Sequence, residues 1–275
     1  MFLGRMAKVW IDGQERGRLA MGKDMRHRGV ISVLLLLGWA THLAASIPIS
    51  IVNNLPGTFV DISNAGTLLS IPSDGSTVVS SGGVGNLLFP PGNIVVAENG
   101  GLGFQNPPDN NLPPVNTPIP SVTIFGGGQA ILGYYSNIMA CPGKMGGVYQ
   151  ATTSTSEIIQ YHGMCVPGAL RGGNPDLVDF EIKIFNNPIP APGIFAQIIY
   201  ADIQRPGPNG GAIATIGYQD DALGNNDFQW SFNTAGSVMD GTVLSIVPEP
   251  ASAILVALLG WVLARRPDRT RRISR

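Results

Sequence analysis

Between its two ends this 275-residue chain is poor in positive charge, histidine, cysteine and tryptophan, and each shortage closes off a class of function. Of its 17 lysines and arginines, seven fall in residues 1–28 and six in 265–275, leaving Lys144, Arg171, Lys183 and Arg205 for everything between. Residues 47–250 set 14 acidic residues against those four cations, a net charge of −10. Nucleic-acid binding needs clustered Lys and Arg that displace counterions from phosphates, so this composition excludes it. Of three histidines, only His162 lies beyond residue 46. One histidine cannot make a histidine-rich metal site, and two cysteines cannot make a four-cysteine zinc centre. A Ser-His-Asp triad would have to use His162, and no G-x-S-x-G elbow presents a serine to it. Its setting in "IIQYHGM", between strand residues and a turn, reads as structural. No catalytic constellation, metal site or cofactor site emerges from these counts.

What is abundant is glycine (36) and proline (22), in a chain that is 44% hydrophobic and only 13% charged. Disorder pairs low hydrophobicity with high charge, the reverse of this balance. Short apolar runs separated by Gly, Pro, Asn and Asp turns point to an all-β fold. The runs are "FVDIS", "TLLSI", "STVVS", "GNIVVAEN", "SVTIF", "QAILGYY", "GGVYQATT", "SEIIQYHGM", "LVDFEIKIF", "GIFAQIIYADI", "AIATIGYQ", "DFQWSFN" and "TVLSIV". In "VDFEIKIF", Phe180, Ile182 and Ile184 alternate with Asp179, Glu181 and Lys183, which predicts one face on a core and one in water. "IFAQIIYADI" is apolar on both faces and reads as a central strand. About a dozen such strands suit a β-sandwich, with an up-and-down barrel as the alternative. "GFQNPPDNNLPPVNTPIP" (103–120) carries six prolines and reads as a long loop between sheets.

Three smaller features bear on chemistry. Cys141 and Cys165 bracket the "GGVYQATT" and "SEIIQYHGM" strands, so pairing them would staple a hairpin. In an oxidising compartment a disulfide is the expected state, stabilising by about 3 kcal/mol. The cluster Asp220, Asp221, Asn225, Asn226 and Asp227 lacks EF-hand spacing and reads as a solvated hairpin loop. Trp230, the one tryptophan in residues 47–250, alternates with Phe228 and Phe232, which predicts a core position. No aromatic is identifiable as exposed for sugar stacking.

The ends have their own logic. "MRHRGVISVLLLLGWATHLAASIP" has the parts of a secretory signal peptide: Arg26 and Arg28, the 11-residue apolar run Val30–Ala40, and small residues Ala44 and Ser46 before a cut after Ser46. Eleven residues of helix rise about 16 Å, roughly half the bilayer core, which argues against a permanent span. Residues 1–24 fit no leader pattern and read as an over-called start, with translation beginning at Met25 or Met21. At the other end stand Pro248-Glu249-Pro250, the 14-residue apolar run Ala251–Ala264, and Arg265, Arg266, Arg269, Arg271, Arg272 and Arg275. The run makes about 21 Å of helix, short of the roughly 30 Å of hydrocarbon. Its arginines favour the cytoplasm, leaving residues 47–247 outside.

That three-part tail, residues 248–275, closely resembles the PEP-CTERM sorting signal of Gram-negative bacteria. The resemblance implies recognition by an exosortase, a membrane transpeptidase-like enzyme, after transient insertion of the short helix. It further implies export and association with exopolysaccharide and biofilm matrix; it implies no particular activity. The body resembles, less specifically, a β-sandwich module of secreted bacterial proteins, in "VDISNAGTLLSIPSDGSTVV", "GGVYQATT" and "GGAIATIGYQDDALGNNDFQWSFNTAGSVMDGTVLSIV". "MCVPGALRGGNPD" has no counterpart there. The expectation is therefore a mainly β protein: signal peptide 25–46, β-sandwich domain 47–247, sorting signal 248–275 with a short transmembrane helix. Its expected partners are the export machinery, an exosortase and extracellular polysaccharide. The expected role is non-catalytic, at the cell surface or in the matrix. A carbohydrate-binding module is the alternative, and a secreted carboxylate-based hydrolase a weaker one.

Overall fold

The computed structural model describes residues 48–104, 116–141, 146–171, 174–186, 193–203, 211–220 and 226–249, without the side chains of 167–175. Fourteen strands occur among them. They are β1 (Ile49–Asn53), β2 (Thr67–Leu68), β3 (Ser76–Ser80), β4 (Asn93–Ala97), β5 (Gly101–Gly103), β6 (Ala130–Tyr135) and β7 (Met139–Ala140). Then come β8 (Gly147–Thr152), β9 (Ser156–Arg171), β10 (Asn174–Phe185), β11 (Ala196–Ile203), β12 (Thr215–Gln219), β13 (Phe228–Phe232) and β14 (Val243–Pro248). A single 3₁₀ turn spans Phe125–Gly127. No helix among the described residues is long and apolar enough to cross a membrane. The predicted signal and C-terminal helices lie outside the described residues.

The strands form two antiparallel sheets. The larger has the order β1-β14-β11-β10-β9-β8-β2, with β7 also on β9; the smaller has β13-β12-β6-β5-β4-β3. Residues from both sheets join in one apolar core, as in a sandwich. Phe180 is its hub: the ring stacks on Tyr161 at 4.6 Å between centroids and lies 5.9 Å from Tyr200 and 6.4 Å from Tyr134. Two of these tyrosines also tie the sheets through polar ends. The Tyr161 hydroxyl donates to the Ala97 and Gly101 carbonyls, and that of Tyr200 to the Gly133 carbonyl. A buried hydroxyl needs such an acceptor, so these three contacts fix how the sheets face one another.

The alternation in β10 places Phe180, Ile182 and Ile184 in the core as predicted. The other face is a correction: Glu181 is fully buried and Lys183 nearly so. Both lie under a strap, residues 54–66, that crosses the outer face of the large sheet; after Asn54, whose N–H donates to the Val243 carbonyl of β14 at 3.1 Å, it leaves the ladder. Gln197 Nε2 donates to the Pro56 carbonyl at 3.0 Å and Lys183 Nζ to that of Thr58 at 3.2 Å. Farther along, the Val60 N–H donates to Glu181 Oε2 at 3.1 Å and the Ile62 N–H to Gln160 Oε1 at 2.7 Å. Alternate strap residues thus meet successive side chains of the sheet, and Ile62 packs on Tyr149 and Ile158. "FVDIS" is this strap and not a strand: Ile62 covers the sheet, Val60 stays exposed, and side chains from the sheet satisfy its backbone.

The small sheet is covered the same way. "SVTIF" is not a strand either; it belongs to a second strap, residues 116–128, laid over β12, β13 and β5. The Ile119 N–H donates to Gln229 Oε1 at 2.9 Å and the Ser121 N–H to Gln219 Oε1 at 2.7 Å. Gln219 Nε2 in turn donates to the Ser121 and Gly128 carbonyls, each at 3.1 Å. Ile119, Ile124 and Phe125 pack on Val95, Ala97, Leu132 and Tyr135. Phe125 lies on Gly103, where a Cβ would collide with the ring. The proline-rich segment therefore links β5 and β6, neighbours in one sheet, and not two sheets. Most strands are short, as expected, but β9 and β10 run 16 and 12 residues. Their distal pairing joins "MCVPGALR" of β9 to "NPDLV" of β10.

Candidate functional site

Cys141 and Cys165 form a disulfide, with Cα atoms 5.0 Å apart. Met139 pairs with Cys165 in the β7–β9 ladder, and β8 pairs with β9 from Gly147↔His162 to Thr152↔Glu157. The bridge therefore closes the open end of the β8–β9 hairpin, as the sequence predicts.

His162, on β9, stands 3.5 Å (Nδ1) from Asp179 Oδ2, with the Tyr149 ring edge-on at 6.3 Å. Asp179 also accepts the Gly163 N–H. Burial raises the Asp179 carboxyl above its ordinary value, and the Gly163 bond and the nearby imidazole only partly offset this. A carboxylate and an aromatic edge orient a histidine; among the described residues no hydroxyl or thiol is bonded to His162 as a nucleophile would be. Three buried glutamates are raised by burial as well. Glu181 is opposed by Lys183, 3.0 Å away; Glu157 by donors from Thr152 and Gln150; Glu98 by the Asp74 and Ala140 N–H groups. Each is spent on structure: Glu181 on a strap, Glu157 at the β8–β9 turn, and Glu98 between the 72–75 turn and β7. No group of three His, Cys, Asp or Glu residues suited to a metal occurs among the described residues.

The acidic loop behaves as a hairpin turn where it is described. β12 pairs with β13 up to Tyr218↔Phe228. Asp227 Oδ1 accepts the Asp220 N–H at 2.6 Å, and Asp220 accepts from the Tyr218 hydroxyl at 3.0 Å. Asp221 and Asn225 lie outside the described residues.

Trp230 is where the structure adds a site that sequence reasoning missed. It is only partly buried: it packs against the core but also lines an open cleft of about 550 Å³. Phe228 and Phe232 are likewise partly exposed, so this edge strand is not the core element its alternation predicts. The cleft lies where β1 and β13, edge strands of different sheets, come together; Asn53, Asn54, Thr234, Met239 and Asp240 also line it. The signal for it was the hydrogen-bonding company of Trp230, rich in Asn, Ser and Thr but brought together only by the fold.

The ends of the folded body meet at one sheet edge. Ile49 pairs with Pro248, the last residue of β14, and the Glu249 N–H donates to the Pro48 carbonyl at 2.8 Å. Of the predicted terminal sites, Pro248 and Glu249 are thus described. Ser46, Pro250, Arg265, Arg266, Arg269, Arg271 and Arg272 lie outside the described residues. No family model, curated protein or solved structure matches this chain. The fold and site define a disulfide-bonded, two-sheet β protein with an aromatic-lined edge cleft.

Proposed function

We propose that this is an exported, non-catalytic protein of the cell surface or extracellular matrix. A signal peptide directs it through the export machinery and is removed after Ser46. Its PEP-CTERM tail then inserts briefly in the membrane and is handed to an exosortase. The observation that carries this reading is the meeting of Pro48 and Glu249 at one edge of the large sheet. A body whose first and last strands pair brings Pro48 and Glu249, the ends of the described body, to one corner of the large sheet, which suits presentation to a membrane enzyme. The disulfide supports the same reading, because such bonds persist in oxidising compartments. The arrangement of the buried carboxyls favours the non-catalytic role over a carboxylate-based hydrolase, since each already serves a strap or turn.

Cell fractionation tests the proposal. The full chain and a version lacking residues 251–275 would be expressed in the native host and followed by antibody. Delivery of the full chain to the surface or matrix, and mislocalisation of the shortened one, is the expected result. Recovery of the full chain in the cytoplasm contradicts it.

A further inference from the structure

The cleft beside Trp230 is built before any ligand arrives. The indole Nε1 donates to the Ser237 carbonyl at 3.1 Å, which fixes the ring against the core and leaves its remaining surface to the cleft. The 239–242 turn, which also lines the cleft, is held as firmly. Its Met239 N–H donates to Thr242 Oγ1 and its Thr242 N–H to the Met239 carbonyl, both at 3.0 Å. The Gly241 N–H donates to the Tyr200 carbonyl on β11 at 2.9 Å. Asp240 Oδ1 accepts the Ile203 N–H at 2.7 Å. Walls held by backbone bonds lose little entropy on binding.

The chemistry of the lining selects the ligand. Asn53, Asn54 and Thr234 are exposed on the rim and offer both donors and acceptors. Ser231 also lines the cleft, its hydroxyl turned inward and buried. Among the described residues the lining contains no lysine or arginine, and its one charge is the Asp240 carboxylate. Anionic ligands are repelled both here and by the net charge of −10 over residues 47–250. A purely apolar ligand would leave the amides and hydroxyls unpaired. An uncharged molecule with one apolar face and many hydroxyls satisfies every wall. We propose that this cleft binds a neutral saccharide, a pyranose ring stacking its C–H face on Trp230 while its hydroxyls bond to the Asn53, Asn54 and Thr234 rim. The site does not depend on the export route, so either reading can fail alone.

The test uses the full chain and a panel of neutral hexasaccharides of glucose, mannose, galactose and N-acetylglucosamine, with polygalacturonate and a tryptic digest of casein beside them. Binding is read by calorimetry and by tryptophan fluorescence. Trp230→Phe keeps a ring in the core but removes the indole. Met239→Arg blocks the cleft from a side chain that is 63% exposed, and so spares the fold. Circular dichroism checks folding of both. The expected result is that at least one neutral hexasaccharide binds and that each variant raises its Kd by about tenfold or more. The proposal is overturned if no neutral hexasaccharide binds, if both variants bind as tightly as the parent, or if only polygalacturonate or casein peptides bind.

Discussion

The two sheets are covered alike and held differently. Over the large sheet, the 54–66 strap rests on an ion pair, Glu181–Lys183, together with Gln160 and Gln197. Over the small sheet, the 116–128 strap rests on neutral groups, Gln219 and Gln229, with Thr215 donating to the Thr117 carbonyl. The large sheet also carries the disulfide. Irregular backbone can lie flat on a sheet if side chains from beneath replace the missing ladder, and amides do this as readily as charges. The difference is that a charged anchor makes its strap answer to pH and costs more when one partner is lost, whereas an amide anchor is indifferent to pH and costs less.

The largest effect tests the charged anchor. Glu181→Ala strips Lys183 of its counter-charge in a buried site and frees the Val60 N–H, which should lower stability by about 3–5 kcal/mol in urea unfolding. Cys141→Ser with Cys165→Ser should cost about 3 kcal/mol through the loop it opens. Hydrogen exchange should then rise in β7 to β9 while the 116–128 strap keeps its protection. Gln219→Ala unpairs three backbone groups around Ser121 and Gly128, an expected loss of about 2 kcal/mol. A loss as large as that for Glu181→Ala would remove the contrast between the two anchors.

The smallest effect is the dependence on pH. The raised carboxyl of Glu181 means the folded state keeps a proton that the unfolded chain has lost, just above the ordinary glutamate range. Stability contributed there is greatest at mildly acidic pH and declines as pH rises through the raised value. Glu98, Glu157 and Asp179 are shifted the same way. Asp61, lowered chiefly by bonds from Ser63, acts oppositely but below the ordinary aspartate value, outside that window. Melting temperatures should therefore fall as pH rises above the ordinary carboxylate range, less steeply in Glu181→Gln. Gln219→Glu should import such a slope into the other strap; parallel slopes for parent and both variants would show that the anchors are not what titrates.

The same contrast explains what could be read in the sequence. β10 and β11 were legible because Phe180, Ile182 and Ile198 follow the pleat, and the disulfide because its cysteines flank a hairpin. β5, "GLG", was not: glycine is rare in strands, and here its bareness makes the floor for Phe125. "FVDIS" and "SVTIF" have strand-like composition, but their partners are side chains far away in sequence, which no local pattern encodes. β1 was hidden because Ile49 and Ile51 find their alternation only against β14. Trp230 looked like core because period-two alternation cannot tell an edge strand, half of it open to a cleft, from a central one.

The proposed export and sorting make a definite claim about where the mature chain begins and ends. The intact mass of the protein purified from its native host tests this most directly. It should correspond to a chain starting after Ser46, ending before residue 255, with Cys141 and Cys165 oxidised. A mass that includes residues 255–275, or any of residues 1–46, contradicts it.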